Sequence, residues 1–152
     1  MATDEFKEVQ RVLRQLPAVL QHKVVTSAAR ASARVIAKEA KARVPVRSGL
    51  LQRSIGVAKA KKRDTPKDMV RFYVVPKTKV SISKKVLIGG KNAKLKAKMQ
   101  SYHGHFVEFG TKNMNAQPYL LPAAEATRAQ VVETFQQKIH EGVEKQVKRL
   151  AR

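Results

Sequence analysis

The fold of this chain is decided by the stretch His105-Phe-Val-Glu-Phe-Gly-Thr111, which a polar loop joins to Gln117-Pro-Tyr-Leu-Leu-Pro-Ala123. A short apolar segment ends on a glycine, and prolines stand where a later helical segment begins. Glycine permits a left-handed turn that other residues resist, and proline suits the first turn of a helix because no N–H is needed there. We predict a short helix over residues 102–109 that ends at Gly110, with a strand as the alternative.

The flanking sequence predicts an α+β fold in a single domain that spans residues 1–152. Apolar residues recur at helical spacing on both sides of Pro17 and near the C-terminus, whereas the middle is rich in β-branched residues bounded by glycine and proline. We therefore predict a three- to four-stranded antiparallel sheet packed against long N-terminal and C-terminal helices. The predicted segments are N-terminal helices over 1–44, a turn and β-meander over 45–90, a basic loop over 91–101, the segment quoted above within 102–117, and a C-terminal helix over 118–152.

Two of these helices carry apolar stripes that predict how they pack. The second N-terminal helix, over residues 18–43, is predicted to turn inward Leu20, Val24, Ala28, Ala31 and Val35. Its basic residues lie mostly outside that stripe and are Lys23, Arg30, Arg34, Lys38 and Lys41. The C-terminal helix is predicted to turn inward Leu121, Ala124, Val131, Phe135, Ile139, Val143 and Val147.

Composition restricts the kinds of protein this chain can be. It has 152 residues, 43% of them apolar, which is enough for a core of its own. It has no cysteine, which excludes disulfide frameworks, thiolate metal sites and cysteine nucleophiles. No apolar run approaches the roughly 18 to 20 residues that span a membrane, and the first residues are acidic where a secretion signal is basic. We expect a soluble, non-secreted protein.

The net charge of +21 is concentrated in the middle of the chain. Residues 59–98 hold 14 Lys and Arg against 2 Asp and Glu, so they contribute +12. Such a field attracts polyanions, although a run of lysines is also common in a solvated hairpin tip. The sequence has no evident recognition helix with Arg, Asn or Gln facing base edges, so contact with DNA would be independent of DNA sequence. The candidate DNA-facing residues are Lys59, Lys61, Lys62, Arg63, Lys91, Lys94, Lys96 and Lys98.

Two histidines and a glutamate raise the question of a metal site. His103, His105 and Glu108 are residue types that bind transition metals. Positions i and i+2 diverge on a helix, however, and no further Asp, Cys or His stands near them, so we predict no metal site. Gly89-Gly90-Lys91 lacks the spacing and the Ser or Thr of a phosphate-binding loop, and we predict a turn there.

Glu108 is notable on its own because it stands in a mostly apolar segment. A carboxylate in such a setting must meet a specific donor. We predict a structural ion pair between Glu108 and Arg53, with Arg47 and Lys112 as the other candidate donors. Catalysis would need a second acid or a nucleophile nearby, and none pairs convincingly with Glu108, so we predict a structural and not a catalytic role for this residue.

Two segments resemble the two signatures of one family of phage proteins. Residues 40–55, Ala-Lys-Ala-Arg-Val-Pro-Val-Arg-Ser-Gly-Leu-Leu-Gln-Arg-Ser-Ile, are similar to the pattern Ala-Pro-Val-x-Thr/Ser-Gly-x-Leu-x-x-Ser-Ile. Residues 105–111 and 117–123 are similar to an aromatic-Val-Glu-Phe-Gly-Thr run followed by Pro-aromatic-Leu-x-Pro-Ala. The family is the neck or tail-completion group of long-tailed phages, typified by the tenth gene product of a lambdoid coliphage. The positions that carry the resemblance are Pro45, Gly49, Leu50, Ser54, Glu108, Gly110, Thr111, Pro118 and Pro122.

The resemblance implies a virion structural protein, made in the host cytoplasm and assembled at the head–tail junction as a ring around the DNA path. It implies no enzymatic activity, and we expect no cofactor. A hexamer is expected, and a dodecamer is left open. Its partners would be head-closure, tail-terminator or tail-tube proteins, with DNA contacted in passing and no membrane. Two rivals stay open: a nucleic-acid-binding accessory protein without sequence preference, and a metal-dependent enzyme that uses His103, His105 and Glu108.

Overall fold

The computed structural model describes residues 2–46, 49–61, 65–66, 69–77, 79–88, 91–100 and 104–150, and within 79–100 it describes the backbone. The α+β class predicted from the sequence is confirmed. The helices are α1 (Ala2–Gln15), α2 (Ala18–Arg43), α3 (Leu50–Ser54), α4 (Gly104–Phe109), α5 (Leu120–Ala126) and α6 (Arg128–Leu150). The strands are β1 (Ile55–Lys59), β2 (Phe72–Pro76), β3 (Lys79–Ile88) and β4 (Lys91–Gln100).

Helix α2 is the longest element, and prolines determine both of its ends. Pro17 occupies the N-cap position with an extended backbone, φ −52° and ψ 141°, and its missing N–H is not needed there. The helix ends at Arg43 because Val44 precedes Pro45 and is therefore held in an extended conformation, φ −64° and ψ 133°.

Two apolar cores lie along α2. The first joins the end of α1 to α2 and α6, through Leu16, Val24, Ala28, Ile139 and Val143. The helices approach closely there, since a Cβ atom at Gly142 would lie 2.7 Å from Val24 Cγ1. The second core joins the C-terminal half of α2 to β1 and α5, through Ala37, Ala40, Val44, Ile55, Tyr119 and Ala123. Four of the predicted inward residues, Val24, Ala28, Ile139 and Val143, are therefore buried.

The predicted single sheet of three to four strands was wrong, because the strands form two separate two-stranded antiparallel sheets. β1 pairs with β2, from Ile55 opposite Pro76 to Lys59 opposite Phe72. Pro76 ends β2 and has no N–H to donate to a further strand. β3 instead pairs over all ten of its residues with β4, which follows two residues later, so the loop to be closed is short.

The basic loop predicted over 91–101 contains strand β4. Lysine is a weak strand former, so the sequence pattern there did not indicate a strand, but a partner in register overrides propensity. Gly89-Gly90, where a turn was predicted, lies outside the described residues.

The structure divides the single C-terminal helix predicted over 118–152 into α5 and α6. The break lies at Thr127, whose Oγ1 donates to the Ala123 carbonyl at 2.7 Å and whose N–H donates to the same oxygen at 3.1 Å. The side-chain bond to the carbonyl four residues back is of the kind that bends a helix, whereas the N–H bond is an ordinary helical one. Because the break changes the phase of the stripe, Leu121 is 63% exposed although it was predicted to face inward.

Candidate functional site

Glu108 lies in α4 and is only 8% exposed, and its carboxylate binds the start of α5. The N–H groups of Tyr119 and Leu120 donate to Oε2 at 2.8 and 2.9 Å, and that of Leu121 donates to Oε1 at 3.2 Å. Hydrogen bonds to an ionised acceptor are about twice as strong as neutral ones. A side chain eleven residues upstream therefore caps α5.

This cap satisfies the whole N-terminus of α5. The first four N–H groups of a helix have no partner within the helix. Glu108 accepts from the first three, and the fourth position is Pro122, which has no N–H. The side chain of Tyr119, at the N-cap, makes no capping hydrogen bond to α5, so the Glu108 carboxylate replaces the usual capping residue. Its negative charge also lies at the positive end of the helix.

Gly110 makes the loop between α4 and α5 compact enough for the cap to form. Its φ is +75°, and a Cβ atom there would lie 2.8 Å from the Ala116 nitrogen and 2.9 Å from the Met114 oxygen. The loop is bonded to itself as well, since Thr111 and Met114 exchange backbone hydrogen bonds at 2.8 and 3.2 Å. We call residues 104–123 the signature corner.

Tyr119 packs in the core with Ile55 of β1 and so joins the signature corner to the sheet. Its side chain is fully buried, and its hydroxyl donates a long hydrogen bond of 3.4 Å to the Gly104 carbonyl. Gly104 also packs tightly on β2, because a Cβ atom there would lie 2.4 Å from Pro76 Cγ. Glycine at this position lets α4 contact the end of the strand.

Burial, together with the smaller effect of the nearby Glu108 carboxylate, raises the pKa of Tyr119 from 10.0 to about 12. The folded state holds the phenol proton more tightly, so this contribution to stability is complete below pH 10 and is lost as the pH rises through 12. As the pH rises from 10 to 12, we expect the free energy of unfolding to fall by about 2 kcal/mol more in the wild type than in Tyr119→Phe, which has no phenol proton to lose. Urea unfolding at stepped pH measures this, and equal losses in the two proteins would contradict it.

The first signature segment forms a second turn that packs on the same core. Gly49 takes a left-handed conformation, φ +67°, at the N-cap of α3, and its carbonyl accepts the Arg53 N–H at 3.0 Å. Leu50 begins α3, and the buried Ser54 donates from Oγ to the Leu51 carbonyl at 2.6 Å. The two signatures meet in the core where Ile55 and Tyr119 pack.

The remaining signature positions lie at the surface of these turns. Pro45 is exposed directly after α2, Pro118 is exposed before Tyr119, and Thr111 pairs with Met114.

The structure does not bring Arg53 to Glu108. Among the described residues neither Arg53 nor Lys112 forms an ion pair with this carboxylate, which accepts its three hydrogen bonds there from backbone N–H groups. Arg47 lies outside the described residues. The physical reason is that a helix N-terminus supplies several donors and a partial positive charge without the burial of a second ion.

The histidines do not assemble into a metal site in the described part of the chain. His105 is exposed and its ring stacks beside Phe106 at 3.9 Å, while Glu108 is engaged as a cap. His103 lies outside the described residues. Those residues contain no group of three or more His, Asp or Glu side chains placed to hold a metal ion.

The candidate DNA-facing lysines fall on different sheets. Lys59 ends β1 and Lys61 follows it, whereas the others that are described lie in β4, and are Lys91, Lys94, Lys96 and Lys98. Lys62 and Arg63 lie outside the described residues. Lys59 instead lines a groove with Arg30 and Lys77, between α2 and the β1–β2 sheet. No sequence motif marks this groove, although the basic residues of α2 lie mostly outside its predicted apolar stripe.

Comparison with known protein families shows which family this chain belongs to. Residues 7–110 match the family described as "Bacteriophage HK97-gp10, putative tail-component". The chain belongs to this family. The match covers more than half of the chain and includes Gly49, Glu108 and Gly110, and it ends before α5. No curated protein and no solved structure matches the chain significantly.

Membership makes this protein a bacteriophage tail component, with a structural role in the virion. Its signature corner is built from a carboxylate cap, two tight glycines and a buried tyrosine, which fix geometry. None of the helices in the described ranges combines the length and apolarity that crossing a bilayer requires.

Proposed function

We propose that this tail component works as a ring subunit at the head–tail junction, surrounding the DNA path and acting by shape and association without catalysis. The observation that supports it most is the exposed apolar surface of the signature corner. Phe109 is 80% exposed and Leu121 is 63% exposed, and Phe106 and Met114 in the same segment are exposed as well.

The fixed backbone of the signature corner supports this proposal. Phe109 directly follows the capping Glu108, and Leu121 donates its N–H to the same carboxylate. Large apolar side chains held outward on a fixed backbone lose little conformational entropy when a partner covers them. Exposed apolar patches of this kind mark interaction sites in soluble proteins.

Closed rings form from contacts between unlike surfaces of identical subunits. The net charge of +21 repels such subunits unless a polyanion or salt neutralises it. Assembly is therefore expected to strengthen with moderate salt or with short DNA. The expected ring is a hexamer, with a dodecamer as the alternative, and head-closure, tail-terminator or tail-tube proteins would contact its faces.

The ring proposal predicts a specific loss of assembly. We expect Phe109→Ser to weaken self-association at least about tenfold, because it removes a central exposed aromatic contact. Multi-angle light scattering and sedimentation velocity, with and without short DNA, measure this. Val132→Ser on α6, where the side chain is 53% exposed, is the matched control and should assemble normally.

Two outcomes would overturn this proposal. One is a Phe109→Ser protein that assembles as well as the wild type. The other is a wild-type protein that stays monomeric in every condition yet binds DNA, which would favour the nucleic-acid-binding accessory function.

A further inference from the structure

A groove of about 540 Å³ lies between α2 and the β1–β2 sheet, and its polar lining is cationic. Among the described residues that line it, none is acidic. Six of them are basic, and they are Arg30, Arg34, Lys38, Lys41, Lys59 and Lys77.

The four basic residues of α2 form a regular row. Arg30, Arg34, Lys38 and Lys41 are spaced by four, four and three residues, so they share one face of the helix, and all four are exposed. With a rise of about 1.5 Å per residue, the row has steps of about 5 to 6 Å and a length of about 16 Å. One strand of DNA also carries its phosphate charges at regular short intervals, so a straight row of cations of this length can face several phosphates.

Lysines on the sheet form the opposite wall. Lys59 and Lys77 line it, and the stem of Lys77 lies close to the backbone, since a Cβ atom at Gly56 would lie 3.1 Å from Lys77 Cε. The guanidinium of Arg30 lies over the Phe72 ring, 5.6 Å from its centroid, so this cation from α2 contacts the sheet side of the groove.

The six charges are not neutralised internally. Within the described part of the chain, none of the six forms an ion pair with an acidic side chain, whereas the neighbouring Arg43 pairs with Glu39 at 2.8 Å. Six like charges around one groove repel one another in the empty protein, and a bound polyanion removes that repulsion.

We propose that this α2 groove binds the phosphate backbone of duplex DNA without reading its sequence. In the described part of the chain the lining has cations spaced along a line and no Asn or Gln to recognise base edges. The repeating charge of a nucleic-acid strand fits such a row along its whole length. This inference deepens the proposed function by naming the surface that faces DNA, which differs from the strand β4 lysines, and it does not require a closed ring.

The test is fluorescence anisotropy with a short labelled duplex over a range of salt concentrations. We expect the double variant Arg34→Gln, Lys38→Gln to bind about tenfold to a hundredfold more weakly at moderate salt. The slope of log K against log salt should fall by about 2, because two phosphate contacts are lost. Lys145→Gln, Lys148→Gln on α6 changes the net charge equally at exposed positions and is the matched control.

The outcomes are separable from those of the ring experiment. A groove variant that binds DNA with the affinity and salt slope of the α6 control would overturn the proposal. Displacement of bound DNA by poly-glutamate at the same concentration of negative charge would also overturn it, because the groove would then bind an acidic protein segment as well as it binds DNA. Oligomeric state is measured on the same samples. If the protein is a monomer and its DNA binding still depends on the groove residues, the ring proposal is wrong and the groove proposal holds.

Discussion

Replacing Glu108 with alanine is expected to lower the free energy of unfolding by about 3 kcal/mol. The carboxylate accepts three backbone N–H groups at 2.8, 2.9 and 3.2 Å, and alanine leaves these donors, in a mostly buried setting, without that acceptor. Urea unfolding followed by circular dichroism measures the change.

Two further variants separate the cap from general effects of charge. Glu108→Gln keeps an oxygen acceptor and loses the charge, so an intermediate loss of stability is expected. Glu125→Ala removes an exposed carboxylate from α5 itself and should change stability by less than about 0.5 kcal/mol. If Glu108→Ala were no more destabilising than Glu125→Ala, the cap would not contribute to stability.

Replacing Gly110 with alanine is expected to destabilise the protein by about 3 kcal/mol or more, of which the left-handed backbone alone accounts for about 1 to 2. The rest comes from contact with backbone, since the new Cβ would lie 2.8 Å from the Ala116 nitrogen and 2.9 Å from the Met114 oxygen. The loop would have to open, and the cap on α5 would be displaced with it.

Gly49→Ala is the matched control for this variant. Gly49 has nearly the same φ, +67°, but nothing lies within 4 Å of its Cβ position. Only the conformational term of about 1 to 2 kcal/mol is therefore expected. Thermal unfolding of the two variants compares them directly, and equal destabilisation would show that the close contacts at Gly110 relax freely.

The helices could be predicted from the sequence because their signals are local. Pro17 and Val44-Pro45 bound α2 in the structure as they do in the sequence. The strands depended on pairing, which is not local. β3 pairs with the lysine-rich β4, which begins two residues later, and not with β2. Nothing in the apolar pattern of residues 91–100 indicated that this segment is a strand.

Glu108 shows why a site can be located from sequence while its partner is not. An acidic residue between Val107 and Phe109 does indicate a specific donor. The candidate partners that sequence offers are other charged side chains, whereas the donors here are backbone N–H groups that no residue type identifies. Pro122, the third residue of α5, is the one available signal, since with the N-cap residue counted it leaves a first turn that needs only three acceptors.

The α2 groove was missed for a related reason. Basic residues on the outer face of an amphipathic helix are usually solvated, and Arg30 and Arg34 carry no motif of their own. Only the fold places the β1–β2 sheet beside them and brings Lys59 and Lys77 to the opposite wall. The concentration of charge in residues 59–98 instead predicted that lysines of that middle segment face DNA.

Cryo-electron microscopy of the intact phage particle tests the ring proposal most directly. We expect density for α2, α6 and the signature corner to repeat around the DNA path at the head–tail junction, with Phe109 covered by a neighbouring protein and the α2 groove facing the DNA. A particle that holds this protein away from the junction, or as isolated copies without rotational repetition, would contradict a ring subunit that acts by shape and association.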